Sequence, residues 1–349
     1  MTSEHFDVAV IGGGPAGAAA ALTLLRYTSR RVVVIERSGY DEWRAGETLS
    51  PGATPLLQYL GVSVGPHLRA SGTAAAWGAS RVVSRDFFFT GAGDGMNLDR
   101  RAFDRALIAS VPDVRLRTHV VGVSDALSLS DGSAITADFV IDASGRHASF
   151  ARLMGAKPQL HDQLTGVIGV YATRGEIEPS TLVEAVPYGW WYSAPIPGEQ
   201  LVVALMTDAD IVRERGTHLS FDDAPATRAR VGEARLLREP VILPAHSARL
   251  DRIAGEGWAA AGEAAASFDP LSSMGIGYAL TSGINAARAA DSWLRGNKDH
   301  LQVYAADVAR HFDAYLDRRG AYYAMEQRWP DEPFWSRRIT TSRTHSSPR

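Results

Sequence analysis

The residues best placed to do chemistry come early. In FDVAVIGGGPAG, residues 6–17, glycines at positions 12, 14 and 17 fall in the spacing GxGxxG, and Glu36 closes the run RVVVIER that follows. Glycines so spaced let the chain turn sharply and bring bare backbone against a pyrophosphate, while the next helix turns its N-terminus toward the phosphates. A carboxylate ending the second strand accepts from the hydroxyls of an adenosine ribose. The chemistry is dinucleotide binding, with Gly12, Gly14, Pro15, Ala16, Gly17, Glu36 and the adjoining Arg37 as candidate contacts. A bare GxGxxG also matches ordinary glycine turns, so the flanking elements decide. Val8–Ile11 is a short apolar run of the kind that forms a buried parallel strand, Ala18–Leu25 reads as a helix, and Val32–Ile35 reads as a second strand.

Further candidates lie far downstream. Phe139–Ile141 reads as a strand running into Asp142-Ala143-Ser144-Gly145, and α/β sheets place ligands at such strand ends. The run from Gly257 reads as another strand ending in Gly262-Glu263. After it, SFDPLSSMGIG (267–277) precedes a helix expected over Tyr278–Leu294, whose leading glycines offer backbone N–H groups and a positive dipole end. Asp142, Gly262, Glu263, Pro270, Met274, Gly275 and Ile276 therefore join the cofactor-binding candidates. Arg44 and Glu47 sit in a polar loop that also reads as plain surface. Arg100 opens a helix behind a cap-like Asn97 or Asp99, with Leu98, Phe103 and Leu107 turned inward, and could clamp an anion or stay solvated. For substrate chemistry the candidates are Trp191 and Tyr192, with Trp190, as an aromatic wall or as core. His246 is a candidate proton donor or acceptor, or a structural histidine.

Composition narrows the classes. The chain has 349 residues, 45% hydrophobic, with net charge −3, no cysteine, and lysine only at 157 and 298. Disulfides and thiol chemistry are excluded, no metal site is expected, and nothing draws the chain to nucleic acid or a membrane. Acidic residues ahead of the first apolar run argue against a secretory signal, so a cytoplasmic location is expected. Ala74–Ser84 and Asp86–Thr90 read as strands, residues 114–142 as a meander turning at Asp131-Gly132, and residues 166–250 as the larger sheet of a substrate lobe. A helical segment with a break at Pro330 should follow Leu301, then a frayed tail.

Dispersal of the nucleotide elements over 260 residues resembles the FAD-binding fold of class A flavoprotein monooxygenases and flavin-dependent halogenases. That resemblance implies an α/β chain: a Rossmann-like FAD-binding domain of the hydroxybenzoate-hydroxylase type, a second β-sheet substrate domain, and C-terminal helices. The expected division is 1–70, 97–160 and 251–300 for the FAD domain, 71–96 and 161–250 for the substrate sheet, 301–338 for the helical segment and 339–349 for a flexible tail. It implies FAD as cofactor, Arg100 as a cofactor contact, and Gly262-Glu263 in place of the family's Gly-Asp. GETLSP (46–51) resembles the halogenase GExxxP, DPLSSMG (269–275) resembles DPLxSxG, and WWYSAPIP (190–197) is similar to WxWxIP. Halogenases hold hypohalous acid with a buried lysine in the sheet segment after GExxxP, and residues 74–90 contain none. The chain also resembles the LodB-like flavoproteins, which modify a tryptophan of a partner oxidase; the shared features are RxGExLxP, DPLSSxGI, YYAMEQRW (322–329) and FWSRR (334–338). Implied is oxygenation of an electron-rich aromatic, free or borne on a peptide or protein, through a flavin C4a-hydroperoxide. Electrons would come from NAD(P)H directly or from a separate reductase, and O2 is a co-substrate. Halogenation, an FAD-dependent dehydrogenase or reductase, and a non-catalytic FAD-bearing partner protein are the alternatives.

Overall fold

The protein is described by a computed structural model covering residues 4–90 and 93–344. The N-terminal half of the nucleotide motif folds as strand β1 (Glu4–Ile11), helix α1 (Pro15–Tyr27) and strand β2 (Val32–Glu36). Pro15 supplies the first helical residue, where its missing N–H is harmless, and the Ala/Leu run behind it is buried. Arg100–Ile108 forms α2, capped by Asp99, whose carboxylate accepts from the Arg101 and Ala102 N–H groups. Ala134–Asp142 forms β3.

These strands build one parallel sheet in the order Trp258–Ala260, β3, β1, β2, Val114–Leu116. β1 and β3 pair along their whole length, from Glu4 opposite Ile135 to Ile11 opposite Asp142. Toward their C-terminal ends, over Val8–Ile11, Val32–Ile35 and Phe139–Ile141, the strands are apolar and buried, as a sheet covered on both faces requires. The expected meander is an antiparallel annex on β3, with Gly132 at φ +86° in its turn.

The second sheet holds β4 (Leu164–Ala172), β5 (Ser180–Val186), β6 (Gly189–Ile196) and β7 (Gln200–Asp208). Its order is Arg235–Leu236, β4, β7, β6, β5, Gly72–Ala76, Val83–Asp86. The expected strands over 74–90 are corrected. Gly72–Ala76 and Val83–Asp86 pair as a hairpin around a turn with Gly78 at φ +71°, and Phe87–Thr90 is a short 3-10 helix.

Three helices close the chain: α3 (Gly275–Leu294), α4 (Asp299–Ala324) and α5 (Pro333–Thr344). α3 begins three residues earlier than its apolar pattern suggests, because Gly275 and Gly277 form its first turn. It crosses α1 so closely that a Cβ on Gly283 would lie 2.1 Å from the Ala16 carbonyl oxygen. α5 runs through the start of the stretch expected as a tail; residues 345–349 lie outside the described residues.

Candidate active site

At the C-terminal edge of the parallel sheet the separated pieces are stitched together. The Gly12 N–H donates to the Ile35 carbonyl, Ala143 N–H to Ile11 and Ala261 N–H to Asp142, each at 2.8 Å. Gly12 is held at φ +100°, where an added Cβ would meet the Ala143 carbonyl oxygen at 2.4 Å. A Cβ on Gly17 would strike the Gly12 carbonyl, so α1 lies directly on the turn. Gly14 differs: a Cβ there would meet nothing within 4 Å. Gly275 and Gly277 are equally open, at the N-terminus of a 20-residue helix whose first N–H groups lack side-chain caps. Two bare-backbone openings at helix N-termini fit the pyrophosphate and an electron-rich ring edge of FAD. Gly262, at φ +60°, sits against Ala16 and donates its N–H to Ser282, so the late motif abuts the pyrophosphate turn.

Glu36 is buried at the end of β2 and accepts from the Gly13 N–H at 2.6 Å, from the Ser38 N–H and hydroxyl, and from Arg44. Burial raises its pKa, but these hydrogen bonds outweigh it and hold the carboxyl below its ordinary value. One lone pair of Oε2 is left for a ribose hydroxyl. Arg44 bridges Glu36 to Asp104, while Arg37 is exposed. Arg100 grips Asp104 with two N–H groups at 3.1 Å and the Ala45 and Gly46 carbonyls with a third nitrogen, so its task is to seat the Gly46-Glu47 loop. Asp104, the keystone of both arginines, was missed in the sequence, although its i+4 spacing from Arg100 signals it. Asp142 is fully buried, and its carboxylate accepts from the Ser144 and Ala151 N–H groups and the Ser144 hydroxyl. It organises its own turn, a correction to its expected cofactor contact. Glu263 pairs with Arg146 at 3.1 Å. The His246 carbonyl accepts from Arg146, and burial followed by the Arg146 charge holds its imidazole below the ordinary histidine range.

The turn before α3 hangs from α4. Asp269 caps it by accepting from the Leu271 N–H, and its other oxygen accepts from Arg319 at 3.0 Å and from the Tyr323 hydroxyl at 2.7 Å. Tyr323 accepts from the Trp190 indole, and Tyr315 accepts from the Asp269 N–H. Pro270, Met274 and Ile276 thus sit on a turn held by three side chains of α4, with Gly275 exposed beside them. Trp190 belongs to this network as a buried prop.

Strand alternation separates the other two aromatics. Trp191 is 1% exposed on the opposite face of the sheet, with its ring 4.9 Å from Phe221, which corrects its expected place in a substrate wall. Tyr192 returns to the inner face, and its hydroxyl lies 3.0 Å from that of Thr48, itself bonded to Asn97. Glu47, next to Thr48, is 4% exposed and its Oε1 has no partner. Burial pushes its pKa up to about 7.

A parallel sheet carrying the glycine-rich turn, joined to a second, mostly antiparallel sheet, defines an FAD-dependent oxidoreductase. Residues 105–348 match the tryptophan halogenase family and residues 6–166 match the pyridine nucleotide-disulphide oxidoreductases. The chain belongs to the tryptophan halogenase family of flavin-dependent enzymes. LodB of Marinomonas mediterranea, named as an FAD-dependent oxidoreductase, is 32% identical over 96% of this chain and 97% of its own. The flavin-dependent halogenase CmlS superposes with a TM-score of 0.85 at 25% identity, over 99% of this chain and 71% of that one. QhpG, a peptidyl tryptophan dihydroxylase essential for tryptophylquinone cofactor biogenesis, superposes with a TM-score of 0.76 at 24% identity, over 96% and 78% of the two chains. Among the described residues no helix is long and apolar enough to cross a membrane.

Proposed function

We propose that this protein is a monooxygenase that hydroxylates an electron-rich aromatic ring, with a tryptophan side chain in a peptide or protein as its substrate. The observation that carries this reading is the placement of its two lysines. Lys157 is exposed, and Lys298 is 62% exposed and paired with Glu256, so neither can hold hypohalous acid in a buried site. Likeness in fold to QhpG, a peptidyl tryptophan dihydroxylase, supports the substrate class, and likeness to LodB supports the FAD-dependent chemistry. Bound and reduced FAD supplies the electrons that activate O2, drawn from NAD(P)H or a separate reductase.

In this reading Gly12 and Gly14 give the pyrophosphate bare backbone, and Glu36 takes a ribose hydroxyl. The N–H groups around Met274–Ile276 stabilise negative charge at the ring edge. Arg44 and Arg100, both tied to Asp104, seat the Gly46-Glu47 loop. Asp269, Arg319 and Tyr323 fix the turn against the substrate sheet, where Tyr192 faces the ring. His246, held neutral by burial and Arg146, is able to accept a proton. The test uses reduced enzyme, 18O2, bromide and a tryptophan peptide. Hydroxylated peptide carrying 18O supports the reading; brominated peptide, or oxidised flavin with unchanged peptide, refutes it.

A further inference from the structure

A line of oxidisable rings leads from the turn before α3 to the surface. Tyr323 of α4 stands at its inner end, where its hydroxyl donates to Asp269 Oδ2 at 2.7 Å and accepts from the Trp190 indole at 3.0 Å. The Tyr323 ring centroid lies 5.7 Å from that of Trp77 and 5.9 Å from that of Trp335, and these two are 5.3 Å apart. Trp329 continues the line, 6.3 Å from Trp335. Tyr323 and Trp335 are fully buried, whereas Trp77 and Trp329 are half-buried and reach solvent.

Filling this space does not require such rings. Phenylalanine and leucine pack a core with no polar atom to satisfy, whereas every tyrosine and tryptophan buried here needs a partner for its O–H or N–H. The Trp77 and Trp335 indoles donate to the Tyr322 and Val186 carbonyls, each at 2.9 Å. Tyr323 alone among these rings donates to a carboxylate. The guanidinium carbons of Arg319 and Arg338 lie 4.9 and 5.2 Å from the Tyr323 ring centroid. Two cations so near oppose positive charge on the ring, so Tyr323 gives up an electron only as its proton leaves. Asp269 Oδ2 is within transfer distance of that proton.

We propose that these rings form a one-electron relay that carries an oxidising equivalent from the cofactor turn to the surface, with Tyr323 and Asp269 as its proton-coupled inner end. That the inner end faces FAD rests on the FAD-dependent reading above. The oxidant is a hydroxyl radical left when oxygen activation miscarries; with one electron from Tyr323 and one proton from solvent it becomes water. The Tyr323 proton passes to Asp269. Trp335 then reduces the tyrosyl radical as that proton returns, Trp329 refills Trp335, and a soluble enediol such as ascorbate returns one electron to Trp329.

FAD-free protein tests the relay by itself. Photogenerated tris(bipyridine)ruthenium(III) removes an electron from the surface rings, and electron paramagnetic resonance reads where the hole settles. A tyrosyl radical, identified with ring-deuterated tyrosine, is expected in wild type and lost in Tyr323→Phe; equal signals in the two proteins overturn the proposal. Its formation should slow in D2O, and a rate that is the same in both solvents overturns the transfer to Asp269. Should Tyr323→Phe fail to fold, Trp77→Phe combined with Trp329→Phe decides: radical formation slows severalfold if these indoles are the outer end, and an unchanged rate overturns the path. In FAD-loaded protein, flavin fluorescence should be quenched in wild type and recover in Tyr323→Phe. Equal fluorescence overturns the link to the cofactor. Failure to bind FAD defeats the FAD-dependent reading, while the FAD-free radical still decides the relay.

Discussion

Replacing Gly14 by alanine adds one methyl group to a position where the protein itself has no atom within 4 Å. Gly14 has φ −69° and ψ −175°, extended backbone that any residue adopts, so no conformational strain arises. The remaining penalty in the FAD-free protein is that of alanine at a helix N-cap, about 1 kcal/mol or less. Gly12→Ala differs in kind. Its Cβ would lie 2.4 Å from the Ala143 carbonyl oxygen at a φ of +100°. Left-handed strain alone costs roughly 1–2 kcal/mol, and the clash adds to it, so a loss of at least about 2 kcal/mol is expected. Urea unfolding of FAD-stripped protein separates the two variants. Titration with FAD, followed by flavin fluorescence, then measures what the open space is for. Gly14→Ala should keep near-native stability yet bind FAD at least about tenfold more weakly, because the methyl stands where the pyrophosphate must approach. Native FAD affinity in Gly14→Ala would refute the placement of the pyrophosphate there.

Three further outcomes are expected. The Glu47 carboxyl, raised from 4.5 to about 7, leaves the fold unpenalised below pH 4.5; stability is lost as pH rises through 7, by up to roughly 3 kcal/mol. Urea unfolding at pH 5 and pH 8.5 should show that loss in wild type and not in Glu47→Gln. Tyr323→Phe removes the acceptor of the Trp190 indole and a donor to Asp269, and should cost about 2–4 kcal/mol by the same assay. Trp191→Phe should lower stability by about 1–3 kcal/mol with native turnover, whereas Tyr192→Phe should slow turnover with little loss of stability, since only Tyr192 faces the inner side. Steady-state kinetics with a tryptophan peptide check the pair, and the reverse pattern would mean that the wrong sheet face has been assigned.

The nucleotide turn was legible because strand, glycines, helix and acid are contiguous and each obeys a local rule. Period-two alternation in GWWYSAPI also carried the information that Trp191 and Tyr192 point to opposite faces, but grouping the aromatics as one wall hid it. Asp142 read as a cofactor ligand, while Ser144 two residues on signals the turn that it organises. Gly275 and Gly277 lowered the apparent helix propensity of residues that tertiary packing makes helical. The ties of Asp269 to Arg319 and Tyr323 span 50 and 54 residues, and no local pattern encodes such pairing.

In the proposed function, distant parts of one polypeptide meet at a single flavin. A crystal structure of the protein grown with FAD measures this most directly. The expected result is the pyrophosphate against Gly12 and Gly14, and the isoalloxazine edge within about 3 Å of a backbone N–H among Met274–Ile276. An isoalloxazine lodged away from that turn would contradict it.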